Sequence, residues 1–357
     1  MLVIDTHCDT PSQIYRLRDL SLDNRRGHVD FPKLIAGGVN APFFAIYIPK
    51  EMDSEQAFDY ARKLISATKQ AVEQNSDVAR LATSPDQALQ NSREGLISVF
   101  MGLENASPLG TDFSRLQWFH DQGIRYITLC HNADNAVCDS AAQGTTHNGL
   151  SAFGRELVHE MNDMGIIIDC AHISDKSFWD VLECSTKPVV STHSCCRALS
   201  AHRRNMTDDM IKAIAAGGGM ISINFYPVFL DLSFGSVLDS PDLAWCDKAE
   251  EMFIQDPSNP QYRARWDEAQ DRLQSLARPS FKLIADHIDH AVQLVGTDHV
   301  GIGSDFDGIC VTPQGLDNAS QLPVLFDELA GRGYSQEDIR KIAGENFLRV
   351  MNLCGVS

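Results

Sequence analysis

Apolar and polar positions along the chain fall into two alternating regimes. Short runs rich in β-branched and aromatic residues occur at LVIDTH (2–7), VNAPFFAIYI (39–48), LISVFMGLE (96–104) and IRYITLCH (124–131). They continue at GIIIDCAH (165–172), KPVVSTHS (187–194), GMISINFY (219–226) and VGIGSDF (300–306). Near-continuous apolar runs of this length predict strands covered on both faces. Between them the spacing turns helical. Residues 53–74 carry periodic apolar positions, and Ser84-Pro85 supplies a cap and a first-turn proline. Residues 207–216 open on Thr207, Asp208 and Asp209 and stop at Gly217-Gly218-Gly219.

Eight such strands alternating with helices predict a closed parallel (β/α)8 TIM barrel of the α/β class. A doubly wound open sheet is the alternative. It would require a phosphate-type glycine fingerprint, and none follows the first run. The stretch at about 227–298 is too long for one crossover and predicts a helical insertion that shapes the mouth of a site. SQEDIRKIAGENFLRVM reads as a capped amphipathic helix on the barrel exterior. Barrels run to ~250 residues and beyond as one unit, so all of residues 1–357 are expected to form a single domain.

Composition narrows the class of function more than the fold. A hydrophobic content of 43% and a charged content of 22% suit a folded globular protein. The formal net charge of −18 opposes contact with nucleic acid or an anionic membrane surface. No run approaches the ~18 apolar residues of a membrane span, and LVID leads straight into His7 and Asp9 with no room for a signal peptide. A cytoplasmic enzyme is expected. The ten cysteines contain no CxxC pair, and the neighbours Cys195 and Cys196 are too close for an unstrained bridge. Free thiols follow in a reducing compartment.

Metal-type residues recur at the C-terminal ends of the expected strands, where barrel enzymes carry their chemistry. They are His7 and Asp9, Glu104, His131, His172, His193 and Asp305. His7 and Asp9 are two apart, so the strand period directs both inward to one ion. His172 and His193 end consecutive strands and can share a second ion. Glu104 closes a buried run, where an uncompensated carboxylate is costly. Its plain reading is a salt bridge with Lys or Arg; the metal reading uses its two oxygens to bridge two cations. Asp305 is expected to transfer the proton, with Asp307 better suited to capping the turn.

These segments give the chain a family likeness. DTHCDTP, RYITLCHNADN, IIIDCAHIS, PVVSTHSCCRAL, HRRNMTDDMI, VGIGSDFDG and GENFLRVM resemble the membrane dipeptidase (renal dipeptidase) family of zinc metallopeptidases, amidohydrolase-like barrels, nearly end to end. The resemblance implies two Zn2+ per subunit: His7 and Asp9 on one, His172 and His193 on the other, and Glu104 bridging. It implies that His131 contacts the substrate carbonyl or its tetrahedral intermediate and that Arg204 grips the substrate carboxylate. Asp305 then shuttles the proton, giving a catalytic set of Asp305, His131 and Glu104. Free dipeptides, L,D-dipeptides among them, are the implied substrates, and a homodimer the implied assembly. One departure is visible. Asn105 and Ala106 follow Glu104 where the family usually has small residues, often glycine, so the shape of the neighbouring pocket is open.

Two rivals remain at this level. A binuclear lactonase or amidohydrolase would use similar ligands, but such sites usually bridge with lysine and repeat His-x-His on the first strand. An inactive metal-binding scaffold would be expected to have lost part of the constellation.

Overall fold

The computed structural model describes every residue except Gln143. Its strands are β1 (Phe43–Tyr47), β2 (Ala79–Leu81), β3 (Ile97–Glu104), β4 (Ile124–Thr128), β5 (Ile167–Asp169), β6 (Val189–Ser194), β7 (Met220–Ile223) and β8 (Val300–Ile302). Seven of them pair in parallel in the order β1-β3-β4-β5-β6-β7-β8, and β2 pairs only with β3. The apolar runs thus form one curled parallel sheet. β2 escaped the sequence pattern because three residues of which only Ala79 is buried carry no period.

The first expected strand is a correction. Residues 2–7 form no regular strand, yet they close the sheet into a barrel. Thr6 N donates to Ile302 O and Asp305 N to His7 O on one side; Phe43 N donates to Asp5 O and Cys8 N to Phe43 O on the other. Cys8 bridges both Phe44 and Phe306. The ladder is broken because the Asp5 carboxylate takes backbone N–H groups, Ser304 N at 2.8 Å and His7 N at 3.3 Å. A side chain does part of a neighbouring strand's bonding.

Local rules account for the helices. Asp53 accepts from Glu55 N and Gln56 N in a capping box that starts Ser54–Gln74. Ser84 accepts from Gln87 N ahead of Pro85–Arg93, and Thr207 accepts from Met210 N ahead of Asp208–Ala216. The apolar faces of Ser54–Gln74 and Asp208–Ala216 join the strands' outer side chains in the main core. A second core lies inside the barrel, built from Phe43, Phe100, Tyr126, Ile167, Val190 and Met220, most of them near the beginnings of strands.

That inner core corrects the reading of the C-terminus. The expected single exterior helix is broken: Gln336–Arg340 runs into a π-helical turn, Lys341–Glu345, before Asn346–Cys354. The break is at Gly344, where Ala343 O accepts from Ile4 N and a Cβ would meet the Leu2 carbonyl. Phe347, Val350 and Met351 then plug the barrel's inner core instead of its exterior, with Phe347 edge-on to Phe43 at 5.0 Å. The end of the barrel opposite the metal-type residues is thereby sealed.

Between β7 and β8, helices Ala244–Gln255 and Pro260–Gln274 pack with Val228, Phe234 and Val311 in a small core of their own. Lys282–Val295 instead buries Ile284 and Ile288 in the main core. All ten cysteines are unpaired, and among the described residues no helix is long and apolar enough to cross a membrane.

Candidate active site

All seven metal-type residues converge at the C-terminal mouth of the barrel. His7 is fully buried, and its Nε2 lies 3.5 Å from both Asp9 Oδ2 and Glu104 Oε2. Asp9 stands where a cap of helix Thr10–Tyr15 would, but makes no cap bond, so its carboxylate is free to face His7. Glu104, at the end of β3, divides its oxygens. Oε2 faces His7, and Oε1 faces His172 Nε2 at 3.1 Å, His193 Nε2 at 3.7 Å and His131 Nε2 at 3.8 Å. No Lys or Arg lies within ion-pair distance of Glu104 among the described residues, which removes the salt-bridge reading.

The donors reach into one another's groups more than two isolated pairs would. Ligand atoms of His7, Glu104 and His193 lie within 4.8 Å of one another, as do those of Glu104, His131 and His172 and those of His7, Asp9 and Asp305. His131 and Asp305 therefore border the same space as the five expected ligands.

The charge state of the cluster follows from burial. Burial pushes Asp9 and Asp305 up to about 7, Asp9 further by the Glu104 charge and Asp305 by that of Asp9. Burial lowers His131 to about 3, helped by the Arg204 guanidinium, and holds His172 and His193 well below the usual imidazole range. Burial opposes protonation of His7 too, but the Glu104 and Asp9 carboxylates outweigh it and His7 sits well above that range.

This arrangement fits divalent cations. Among the described residues His7 Nε2, Asp9 Oδ1 and His131 Nδ1 are buried without a hydrogen-bond partner, a costly state for polar atoms. His172 Nε2 and His193 Nε2 face each other at 2.8 Å, while the outer nitrogen of each meets an oxygen, Asn132 Oδ1 at 3.2 Å and Thr192 Oγ1 at 2.8 Å. Nitrogen and carboxylate oxygen donors in this mixture suit zinc.

Four of the six described non-glycine residues with positive φ, namely Asn105, His172, Asp305 and Asp307, stand at these loop starts, so backbone strain gathers at the mouth. The two aspartates divide their roles. Asp307 is tied to Arg18 Nη1 at 2.6 Å, His28 N at 2.9 Å and Thr10 Oγ1 at 3.0 Å. Among the described residues the Asp305 carboxylate accepts only from Asn224 Nδ2, at 2.9 Å, and it opens to the cavity.

The cavity above the cluster measures about 410 Å3. Arg204 is 7% exposed, in contrast to exposed Arg203, and lines the cavity with its guanidinium 5.4 Å from the Phe229 ring centroid and its Nε unpartnered among the described residues. Tyr47, Tyr226, Glu250 and Ile254 complete the wall; the last two come from helix Ala244–Gln255. A larger, more open hollow of about 590 Å3 beside Lys50 and Arg115 contains none of the clustered histidines. Sequence reasoning missed the supports Asp5, Tyr126, Asp169 and Asn224. The available signal was the acidic residue ending a run, in LVID and IIID, two or three positions before a histidine.

A buried donor cluster, a cationic side chain and a carboxylate whose pKa burial raises thus share one small cavity at the barrel mouth. Known proteins show which family carries this arrangement. The family model for membrane dipeptidase (peptidase family M19) matches residues 1–354. Dipeptidase tcpJ of Claviceps purpurea is 31% identical over 363 residues, 97% of this chain and 76% of that protein. Among solved structures, the probable dipeptidase PvdM from Pseudomonas aeruginosa has a TM-score of 0.84 at 26% identity, over 99% of this chain and 95% of that one. The metallopeptidase dipeptidase AC has a TM-score of 0.80 at 26% identity, over 100% and 99%. The chain belongs to the membrane dipeptidase family, peptidase family M19, and is a hydrolase acting on peptide bonds.

Proposed function

We propose that this protein is a zinc-dependent dipeptidase that cleaves free dipeptides, L,D-dipeptides among them, as one barrel domain holding two Zn2+ per subunit. The observation that carries this reading is the division of Glu104 between His7 on one side and His172 and His193 on the other, beneath a cavity of about 410 Å3. His7 and Asp9 would hold one ion, His172 and His193 the other, and Glu104 both. Zinc so held supplies a Lewis acid and makes water a usable nucleophile near neutral pH.

The chain's own groups supply the rest. Arg204, cationic and desolvated, takes the terminal carboxylate through two N–H donors and so selects a substrate only two residues long. His131, neutral at pH 7, presents an N–H to the scissile carbonyl oxygen as it gains charge. Asp305 takes the proton from the attacking water and returns it to the amide nitrogen, so that C–O forms, C–N breaks and the leaving group departs as an amine. Burial suits Asp305 to both halves of that exchange, since an acid near 7 gains and loses a proton with little cost at neutral pH.

The test is hydrolysis of L,L- and L,D-dipeptides by zinc-loaded protein, with N-acetylated dipeptides, tripeptides and lactones as controls. Cleavage of free dipeptides alone is expected. Turnover of lactones with none of dipeptides would overturn the substrate class and leave the metal centre; silence on every substrate would leave a metal-binding scaffold.

A further inference from the structure

Asp169, the last residue of β5, has its carboxylate fully buried, and no Lys, Arg or His lies within ion-pair distance among the described residues. It is held by donors alone. Oδ1 accepts from Thr192 N at 2.9 Å and Ala171 N at 3.0 Å; Oδ2 accepts from Thr128 Oγ1 at 2.6 Å and Thr192 Oγ1 at 2.7 Å. Burying a lone carboxylate is costly, and these four donors offset that cost.

The protons along this chain of contacts can run in one direction only. Thr192 has one hydroxyl proton, and it points at the Asp169 carboxylate, which can only accept. Thr192 Oγ1 is then left as an acceptor toward its other neighbour, His193 Nδ1 at 2.8 Å. The proton of the neutral His193 ring must therefore sit on Nδ1. Its Nε2 is left as a bare lone pair, aimed at His172 Nε2 and Glu104 Oε1.

We propose that Asp169 and Thr192 are positioning residues that lock His193 in the Nδ1–H tautomer and so present Nε2 to the metal centre. The consequence for zinc rests on the proposed function, in which His193 is a ligand; the tautomer itself follows from the Asp169–Thr192–His193 hydrogen bonds. Outer partners that fix a ligand ring are worth about 10–100-fold in metal affinity. A purely structural staple between β4, β5 and β6 would need the carboxylate but would leave the ring nitrogens of His193 indifferent.

The experiment has two independent readouts on the full-length chain. In metal-free protein labelled with 15N-histidine, two-bond 1H–15N spectra report which nitrogen of each ring bears the proton, with the His193 signals assigned by their loss in His193→Asn. Wild type is expected to show Nδ1–H, and Thr192→Val to shift toward Nε2–H. Zinc titration against a chelator is expected to show one of two sites weakened about 10–100-fold in Thr192→Val, with Thr192→Ser restoring it. An Nε2–H tautomer in wild type, or a folded Thr192→Val with unchanged tautomer and zinc affinity, overturns the proposal. If wild type cleaves no dipeptide, the proposed function falls while the tautomer measurement still decides this one.

Discussion

At the scale of single residues, the site works through groups whose ordinary solvation has been removed. Arg204 is the clearest case, a guanidinium buried beside His193 O with no carboxylate partner within ion-pair distance among the described residues. In the proposed function a substrate carboxylate would complete it. Replacing Arg204 with Met should lower kcat/KM by the value of a charged hydrogen bond, about 1.5–3 kcal/mol or roughly 10- to 150-fold. Steady-state kinetics should show the loss mainly in KM, and the variant should no longer prefer a free dipeptide over its C-terminal amide. Asp9 and Asp305 carry a second prediction. Their carboxyls ionise near 7 when folded, above the ordinary 3.8, so the metal-free native state binds more protons than the unfolded chain between those values. Stability from these groups is therefore full below about 4 and is lost as pH rises through about 7. Denaturant titrations of metal-free protein at pH 5 and pH 8 should show that fall. Zinc binding near pH 6 should in turn release protons, read by calorimetry in buffers of different ionisation enthalpy.

At the scale of elements, strand ends place the donors and glycines make room for them. Gly102 on β3 lies against the Tyr126 ring of β4, whose Oη is 2.8 Å from His7 Nδ1. A Cβ at position 102 would overlap that ring. Gly102→Ala should therefore cost about 1–3 kcal/mol by overpacking and also weaken zinc binding through His7, a pairing that thermal melts and metal titration together would reveal. How far the elements were legible depended on length. The capped helices starting at Ser54, Pro85 and Asp208 follow from Asp53, Ser84 and Thr207, because a cap is a local hydrogen bond. The first barrel segment was legible as apolar but not as irregular. Its ladder depends on the Asp5 side chain meeting Ser304, nearly three hundred positions away.

At the scale of the whole molecule, the barrel gathers negative charge at one end and seals the other. Asp9, Glu104 and Asp305 crowd one mouth, and the helix Asn346–Cys354 plugs the opposite one with Phe347 and Met351. Divalent cations relieve the crowding, so chelation should destabilise the entire fold. At free zinc a hundredfold above its dissociation constant, each site adds about 2.7 kcal/mol. Calorimetric melts with and without chelator should differ by several degrees, restored by added zinc; equal melts would mean that the cluster holds no ion. The excursion between β7 and β8 acts at this scale as well, because Glu250 and Ile254 bring its small separate core to the cavity wall.

The chain's order of apolar runs determined the parallel barrel, and the histidines and carboxylates closing those runs marked the residues that gather at its mouth, with Asp9 reaching it from a helix N-terminus and not from a strand. Both are properties of near neighbours along the chain and of strand ends that must lie side by side. Tertiary structure alone decided three things: that residues 2–7 close the barrel without regular pairing, that the C-terminal helix enters the barrel's inner core, and that Asp169 and Tyr126 stand behind the histidines. Each depends on contacts between residues tens to hundreds of positions apart, where burial removes water and forces every polar atom to find a partner that no local pattern announces.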